Sequence, residues 1–157
     1  MKRPLITLII IIFSVSSFSF DYIAKASSYD IYVDQDYNGD SSDGSSERPY
    51  KTIVKAIEES GSKKEKIYVK NGTYTETFSL KDGDGLHGQS KDKTIIKGTI
   101  TSEGDNLIKN ITVIGKSYGI VSSGKIEIEN CKIKSSSKIG IDLSESEKEA
   151  TITSSTI

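Results

Sequence analysis

The sequence is poor in the residues that most often build reactive or metal-binding sites. It has one cysteine, Cys131, and one histidine, His87, among 157 residues. A single cysteine excludes an intrachain disulfide framework and a cysteine-based metal site. His87 has no serine, cysteine or second histidine at a recognisable spacing, so we expect a structural role rather than a place in a catalytic triad. Cys131 aligns with an aliphatic residue, Ile111, in an internal repeat, and we predict that it packs in the core.

Charge of one sign is not concentrated in any segment of the sequence. The chain has 21 Lys and Arg residues against 22 Asp and Glu residues, which gives a net charge of −1. Lysines and carboxylates are interspersed, with no basic block and no alternation of basic and aromatic residues. We therefore expect no nucleic-acid partner.

A hydrophobic run long enough for a membrane span is also missing, although the N-terminus has a shorter one. Lys2 and Arg3 precede an almost unbroken apolar stretch over residues 5–13, and Ala24-Lys25-Ala26 matches a small-x-small cleavage site. A membrane span needs roughly 20 apolar residues. We predict that residues 1–26 are a signal peptide, and that the mature protein is secreted or held at the cell surface without a membrane span. The alternative is an uncleaved N-terminal anchor with its basic residues on the cytoplasmic side.

What the sequence contains instead is an internal repeat. Three stretches share one pattern and lie 20 and then 24 residues apart, at 108–113, 128–133 and 152–157. In each stretch apolar residues alternate as in a β-strand, and the alternation then shifts by one position at an Asn or a Ser. The shift predicts a corner between two short strands. A corner that returns at this interval is typical of successive turns of a parallel β-solenoid.

The repeat predicts which side chains face the interior of the solenoid. Those expected inside are apolar: Ile126, Ile128, Cys131, Ile133, Ile139, Ile141 and Leu143. Those expected in water are polar or charged: Lys125, Glu127, Glu129, Lys132, Lys134 and Asp142. Stacking of the coils would bring Asn110, Asn130 and Ser154 near one another, where Asn side chains can hydrogen-bond along the axis.

The residues ahead of the repeats predict one strand, one loop and one helix. The segment 29–33 has the composition of a strand, and an Asp, Gly and Ser-rich loop follows it. After Pro49, apolar residues at Ile53, Ala56 and Ile57 predict a helix of about two turns that ends at Ser60-Gly61. We expect this helix to cover the open end of the solenoid, where strand edges and apolar side chains would otherwise be exposed.

The rest of the chain predicts strands alone, at 66–70, 73–80, 86–87, 94–100 and 107–114 and onward to the end. This excludes a doubly wound α/β sheet, and a sandwich would not explain the repeat. One domain over residues 27–157 is sufficient, with the entry strand, loop and helix at 27–61 and the first coils at 62–157. The last predicted strand has no closing cap, so we expect the N-terminal portion of a longer protein or, alternatively, end-to-end stacking of two chains.

Several segments of the entry region resemble a known superfamily. They are Ile31-Tyr32-Val33, Arg48-Pro49-Tyr50-Lys51-Thr52-Ile53 and Ile67-Tyr68-Val69-Lys70-Asn71-Gly72-Thr73-Tyr74-Thr75-Glu76, followed by Leu86-His87-Gly88-Gln89-Ser90. Together they resemble the start of secreted proteins of the pectate-lyase-like (pectin lyase fold) superfamily. The resemblance implies an all-β, right-handed parallel β-helix (solenoid) with a short N-terminal capping helix. Proteins built this way include polysaccharide lyases, hydrolases, epimerases and carbohydrate-binding surface proteins, so the fold does not fix the function.

The loop after the first strand is the candidate metal site. Oxygen side chains recur there at short intervals, at Asp34, Asp36, Asn38, Asp40 and Asp43. Calcium takes six to eight oxygen ligands in flexible geometry, and these residues predict a calcium site. An EF-hand loop would have a Glu where this chain has Ser45, so the match is incomplete. The alternative is a solvated loop in which Asp and Asn bond to their own backbone.

No catalytic residue can be assigned from the sequence. The resemblance implies that a lyase would use an Arg or Lys as base, but Arg48 belongs to the entry motif and is expected to orient the helix. The outward lysines have suitable chemistry, yet none stands out: Lys97, Lys109, Lys125, Lys132 and Lys134. A hydrolase would need paired carboxylates on adjacent coils, and Asp142 aligns with Val121 on the preceding coil.

Two hypotheses of function follow. The first is an exported solenoid that binds extracellular or cell-surface polysaccharide or serves as a surface scaffold. The second is the N-terminal part of a polysaccharide lyase, acting by β-elimination of uronate polysaccharide, with its catalytic coils beyond residue 157.

Overall fold

The computed structural model describes residues 29–61, 64–137, 139–144 and 149–157 and shows a parallel β-solenoid of about four turns. The predicted signal peptide lies outside the described residues. Within them the chain forms one helix and fourteen strands, which in chain order are β1 (Ile31–Val33), α1 (Ile53–Glu59), β2 (Lys66–Val69), β3 (Gly72–Tyr74), β4 (Phe78–Leu80), β5 (Gly85–Gly88), β6 (Thr94–Lys97), β7 (Ile100–Ser102), β8 (Asn106–Lys109), β9 (Thr112–Gly115), β10 (Tyr118–Ser122), β11 (Ile126–Glu129), β12 (Lys132–Ser135), β13 (Ile139–Asp142) and β14 (Ala150–Thr153).

The strands form three parallel sheets. Each of the four coils from β2 to β13 contributes one strand to each sheet, and β1 and β14 extend the first sheet at its two ends. The first sheet has the order β1-β2-β5-β8-β11-β14, the second β12-β9-β6-β3, and the third β13-β10-β7-β4. The repeat found in the sequence is the register of the first sheet, where Ile128 pairs with Ile108 on one side and Ile152 on the other. The predicted all-β parallel solenoid is thus confirmed.

The corner between the first and second sheets is built on left-handed backbone conformations. Asn110, Asn130 and Ser154 have φ values of 57°, 49° and 51°. Asn tolerates this conformation because its short polar side chain can hydrogen-bond locally. The Asn130 Nδ2 donates to Asn110 Oδ1 at 2.8 Å, so the predicted hydrogen bond along the axis is present. The corner therefore bends the chain and links two coils at the same residue.

The core is a column of aliphatic side chains, as the repeat predicts. Ile126, Ile128, Cys131 and Ile133 are buried, and Ile141 and Leu143 pack against them in part. The prediction for Ile139 is wrong, because this side chain is 49% exposed. Ile139 is the first residue of β13 and pairs with Tyr118, the first residue of β10. The buried residue of β10 is Ile120, two positions further on, and it pairs with Ile141. Burial also raises the pKa of the Cys131 thiol, in agreement with a packing role.

Helix α1 lies on the N-terminal side and packs against β1. The Thr52 side chain accepts from the Lys55 N–H at 3.2 Å, which is a standard N-cap. The Glu76 carboxylate, from the corner after β3, accepts the N–H groups of Ile53 and Val54 at 3.2 and 2.9 Å. A helix of seven residues is marginal by itself, so these bonds and its buried apolar side chains hold it on the solenoid.

Three predicted strands are each divided in two by a corner. The runs 73–80, 94–100 and 107–114 become β3 and β4, β6 and β7, and β8 and β9. The sequence hides the corners in 73–80 and 94–100 because apolar residues continue on both sides of each bend, whereas the corner in 107–114 is the one that the repeat predicts at Asn110. Gly98 marks one of them, since a Cβ at this position would lie 1.9 Å from the Glu76 carbonyl oxygen.

In the part of the chain that the structure describes, no helix has the length and apolar character that a membrane span requires.

Candidate functional site

A row of aromatic side chains lies on the outer surface of the first sheet. Tyr32, Tyr68 and His87 occupy matching positions on β1, β2 and β5. Their neighbours along each strand, such as Ile67 and Val69 on either side of Tyr68, are buried. Because side chains alternate across a strand, the three rings must point outward. All three are only half-buried, so part of each ring faces solvent.

Tyr29, just ahead of β1, completes the cluster. Its ring centroid lies 4.6 Å from that of Tyr68 and 5.3 Å from that of His87. Tyr32 lies 5.6 Å from Tyr68 and 6.1 Å from Tyr29, both with edge-on geometry. Aromatic pairs at these distances stabilise each other beyond the area that they bury. We call the four residues Tyr29, Tyr32, Tyr68 and His87 the aromatic face.

The row continues along the solenoid axis with charged residues. His87 pairs in register with Lys109, and Lys109 with Glu129. Lys109 Nζ and Glu129 Oε1 are 2.7 Å apart, which makes an ion pair. Burial, followed by the nearby Lys109 and Lys66 ammonium groups, lowers the pKa of His87 below its usual value. At neutral pH the His87 ring is therefore uncharged, with one nitrogen able to donate a hydrogen bond and the other able to accept one.

Burial also acts on Tyr68. It raises the pKa of this side chain, and the neighbouring Tyr29 adds to the effect. The Tyr68 hydroxyl thus stays neutral and can donate or accept a hydrogen bond.

A groove of about 220 Å³ lies next to the row on the same sheet. Leu107, which pairs in register with Gly85 and Glu127, forms part of its floor. Its lining combines an apolar side chain with polar ones: Gly83, Asp105, Asn106, Leu107, Lys125 and Glu127. Rings, an apolar floor and hydrogen-bonding groups are thus placed side by side on one surface.

This combination suits carbohydrate chemistry. A sugar ring presents apolar C–H groups on its faces and hydroxyl groups on its edges. The apolar body of a tyrosine packs against such a face while its hydroxyl stays available for hydrogen bonds. The aromatic face and the groove thus combine ring surfaces with hydrogen-bonding groups, which are the two kinds of contact that a sugar makes.

The loop predicted to bind calcium follows β1 directly. Asp34 accepts from the Asp36 N–H at 3.0 Å through one carboxylate oxygen, and the other lies 3.0 Å from Lys70 Nζ. Asp43 pairs with Arg48. Hydrogen bonds from Ser45 and then the Arg48 guanidinium hold the pKa of the Asp43 carboxyl below its usual value. Two of the five predicted ligands are thus already neutralised by cations.

The described residues do not gather into a carboxylate-rich metal centre. No three His, Cys, Asp or Glu side chains among them form a group that could hold a metal ion. Asp36, Asn38 and Asp40 are exposed side chains of the loop. Calcium can also take amide and backbone oxygens, so calcium binding at this loop stays a prediction.

Two of the candidate bases are held in ion pairs. Lys109 is paired with Glu129, and Arg48 with Asp43. Asp142 pairs in register with Val121, as the sequence indicates, and it accepts from the Ser144 N–H at 3.0 Å. No described residue thus supports the assignment of a catalytic base.

The sequence contains a signal for the aromatic face in a repeated tripeptide. The tripeptide Ile-Tyr-Val occurs twice, at 31–33 and 67–69, and Leu86-His87-Gly88 repeats its spacing. In a parallel solenoid, equal tripeptides on adjacent coils place their central side chains one above the other. The pairing of β1 with β2, in which Tyr32 lies opposite Tyr68 although the two are 36 residues apart in the sequence, turns this coincidence into a surface.

Comparison with known proteins agrees with the fold. A family model described as "Protein of unknown function (DUF1565)" matches residues 37–157, more than half of the chain. The chain belongs to the DUF1565 family. This family is known for β-helix proteins. No curated protein and no solved structure matches the chain. Tyr68 and His87 lie within the region matched to DUF1565, whereas Tyr29 and Tyr32 precede it.

Proposed function

We propose that this DUF1565 protein is an exported β-solenoid that binds extracellular polysaccharide through its aromatic face. The observation that carries the proposal is the outward row of Tyr32, Tyr68 and His87, joined by Tyr29. The DUF1565 match and the solenoid fold are compatible with a surface or polysaccharide-related role.

The fold itself does not require rings at these positions. The core is filled by aliphatic side chains on the other side of the same strands. Further along the row the equivalent positions are held by Lys109, Glu129 and Thr153. Rings at the first three positions leave apolar surface in contact with water, and such patches commonly mark binding sites. Ligand binding explains their presence better than stability does.

The shape of the surface favours a chain of sugars over a small molecule. Ligand pockets for small molecules are concave and bury most of the ligand. Here the rings lie on a sheet face, one strand separation of about 4.8 Å apart, and the groove beside Leu107 extends the surface along the axis. An extended polymer can contact several coils at once.

Export is the second part of the proposal and rests on the predicted signal peptide at residues 1–26. Polysaccharides of the kind considered lie outside the cell, so the two parts support each other. Sequencing the N-terminus of protein recovered from the medium tests export directly.

Binding can be tested with the protein purified after full-length expression, by affinity electrophoresis in gels that contain xylan, soluble β-glucan or dextran. We expect at least one polymer to retard the protein. The double variant Tyr32→Ser/Tyr68→Ser should lose at least about tenfold in affinity, because a loss of about 1.4 kcal/mol of binding free energy is tenfold and truncation of an aromatic anchor costs on the order of 1 kcal/mol or more. The conservative variant Tyr32→Phe should retain most of the binding because it keeps the ring.

A matched control removes two tyrosines from other surfaces, Tyr37→Ser/Tyr118→Ser. Circular dichroism of each variant shows whether the fold is kept. Equal loss of binding in both double variants, or no retardation by any polymer, would contradict the proposal. Release of new chain ends from a polymer would instead point to an enzyme.

A further inference from the structure

We propose that a second surface, the outer face of the second sheet, binds anionic groups of the polysaccharide. This inference rests on the proposed function for the nature of the polymer, but it concerns different residues. It adds that the polymer carries carboxylate, sulfate or phosphate groups.

The strands of the second sheet carry positively charged side chains and no negatively charged ones. Its strands β3, β6, β9 and β12 have the sequences GTY, TIIK, TVIG and KIKS, without a single Asp or Glu. Three lysines come from these strands, and a fourth follows β9 directly. We call Lys97, Lys116, Lys132 and Lys134 the lysine face.

The register of the strands brings these lysines together. Ile114 on β9 pairs with Lys97 on one side and with Lys134 on the other. At about 4.8 Å per strand, the two lysines start roughly 10 Å apart, with an exposed isoleucine between them. Lys97 and Lys116 also line one open groove of about 290 Å³, together with Ile114 and Ser136. The cluster therefore spans three coils and includes apolar surface.

Among the described residues, no carboxylate neutralises this cluster. The ion pairs found there involve Arg48, Lys55, Lys70 and Lys109, and none involves a residue of the lysine face. The nearest carboxylate along β3 is Glu76, which is occupied by the N–H groups at the start of α1.

The turn before β6 adds to the positive charge. It contains Lys91 and Lys93 around a single exposed Asp92. The ammonium group of Lys91 lies 3.0 Å from Asn130 Oδ1, at the edge of the second sheet.

Solubility alone does not account for this arrangement. In the first sheet, by contrast, charged residues on neighbouring strands have opposite signs, since Lys109 on β8 forms an ion pair with Glu129 on β11. Opposite charges across strands stabilise a sheet by roughly 0.2–1 kcal/mol, and like charges oppose it. A face of lysines without acids forgoes that stabilisation and creates a positive potential that attracts anions.

The same face argues for a polysaccharide over other polyanions. Binding of single-stranded nucleic acid relies on aromatic side chains that stack on bases, and the aromatic residue of these strands, Tyr74, is buried. The outward apolar residues are Ile95 and Ile114, which can contact the C–H groups of sugars while lysines bind the acid groups. Compact ammonium groups donate hydrogen bonds to carboxylate, sulfate and phosphate oxygens alike.

The test uses the protein from full-length expression on surfaces that carry alginate or its propylene-glycol ester, in which the acid groups are blocked. We expect alginate to bind at least about tenfold more tightly than the ester at low salt, and the difference to disappear near 1 M salt through screening. The variant Lys97→Gln/Lys132→Gln/Lys134→Gln should lose about tenfold in affinity for alginate. Dextran sulfate against dextran repeats the comparison with sulfate as the anionic group.

The control variant Lys51→Gln/Lys55→Gln/Lys64→Gln changes the net charge equally with exposed lysines that lie outside both proposed faces and the groove beside Leu107. It should stay within about twofold of the unchanged protein, since the local potential decides the binding. Equal losses in the two triple variants would overturn the proposal. Tighter binding to phosphatidylglycerol vesicles or to an oligonucleotide than to either anionic glycan would do the same and assign another partner.

The two proposals can fail separately. Loss of binding to neutral polymers in Tyr32→Ser/Tyr68→Ser reports on the aromatic face alone. Preference for alginate over its ester in that same variant reports on the lysine face.

Discussion

At the residue scale, the environment of His87 in the fold indicates a role that its place in the sequence does not. In the sequence it is a lone histidine without a catalytic partner. In the structure it is the third ring of an outward row, beside Tyr29 and Tyr68 and one strand from Lys109. The expectation that it is not part of a triad agrees with this environment, but a structural role alone does not describe a half-exposed ring on a candidate binding face.

The lowered pKa of His87 predicts a pH-dependent stability. Its ordinary value is 6.5, and in the fold burial and then Lys109 and Lys66 lower it, while Glu129 acts in the opposite direction. Below about pH 6.5 the unfolded chain binds a proton that the folded chain resists. The stability contributed by neutral His87 is therefore present above this pH and is lost as the pH falls through the folded pKa. Urea unfolding between about pH 8 and pH 5 should show this loss, and His87→Gln should reduce it.

Asp84 contributes a pH dependence of stability with the opposite sign. This carboxyl is buried, accepts the Glu65 N–H at 3.0 Å, and has a pKa raised by burial above its usual 3.8. Its folded form binds a proton more readily than the unfolded chain, so its contribution to stability falls as the pH rises. The slope has the sign opposite to that of His87. An unchanged pH profile in His87→Gln would mean that another group is responsible.

The corners determine where the strands of this fold begin and end. Strand runs such as 107–114 look continuous because apolar residues flank the bend, and Asn110 is the visible sign of it. Asn130 and Ser154 repeat that sign on later coils. Where the corner residue is less distinctive, as at 75–77, the sequence predicts a single strand, and the structure has two.

Substitution of Asn130 separates its two roles in the corner between β11 and β12. Asn130→Gly keeps the left-handed conformation at φ 49° but removes the hydrogen bonds to Asn110 and from Lys91. We expect a loss of about 1–2 kcal/mol in the free energy of unfolding for Gly, as for two hydrogen bonds of which one is part-exposed. Asn130→Ala should lose about 1–2 kcal/mol more, because a Cβ opposes this conformation.

Urea denaturation monitored by circular dichroism measures both values. Ser123→Ala, in an exposed turn, is the control for a polar-to-alanine change. Equal losses for Gly and Ala would show that backbone strain does not contribute at this corner.

The whole molecule is a stack of about four coils, with helix α1 on one side of the first coil. Stability in such stacks comes from contacts between neighbouring coils, so a change in the entry loop acts through the first coil. The loop with Asp34, Asp36, Asn38, Asp40 and Asp43 is tied to that coil by the pair between Asp34 and Lys70. A ligand of the loop would therefore raise the stability of the stack.

The calcium prediction is tested at this scale by thermal unfolding. If the loop binds calcium, millimolar calcium should raise the midpoint by a few degrees, because a ligand that binds only the folded state stabilises it. Asp36→Asn/Asp40→Asn should abolish the rise while leaving the pairs of Asp34 and Asp43 in place. Magnesium is the control ion. A midpoint that calcium leaves unchanged would restrict the loop to backbone-bonded turns of the kind seen at Asp34.

The sequence by itself determined the solenoid, because the repeat of apolar and small polar residues is a local pattern with one efficient way to stack. It also determined most of the core and the axial bond between Asn110 and Asn130. Only the tertiary structure decided which distant residues share a surface. Tyr32 and Tyr68 lie 36 residues apart, and Lys97 and Lys134 lie 37 apart. Strand register brings each pair together on one face, because residues at equivalent positions of successive coils stack next to one another along the solenoid axis.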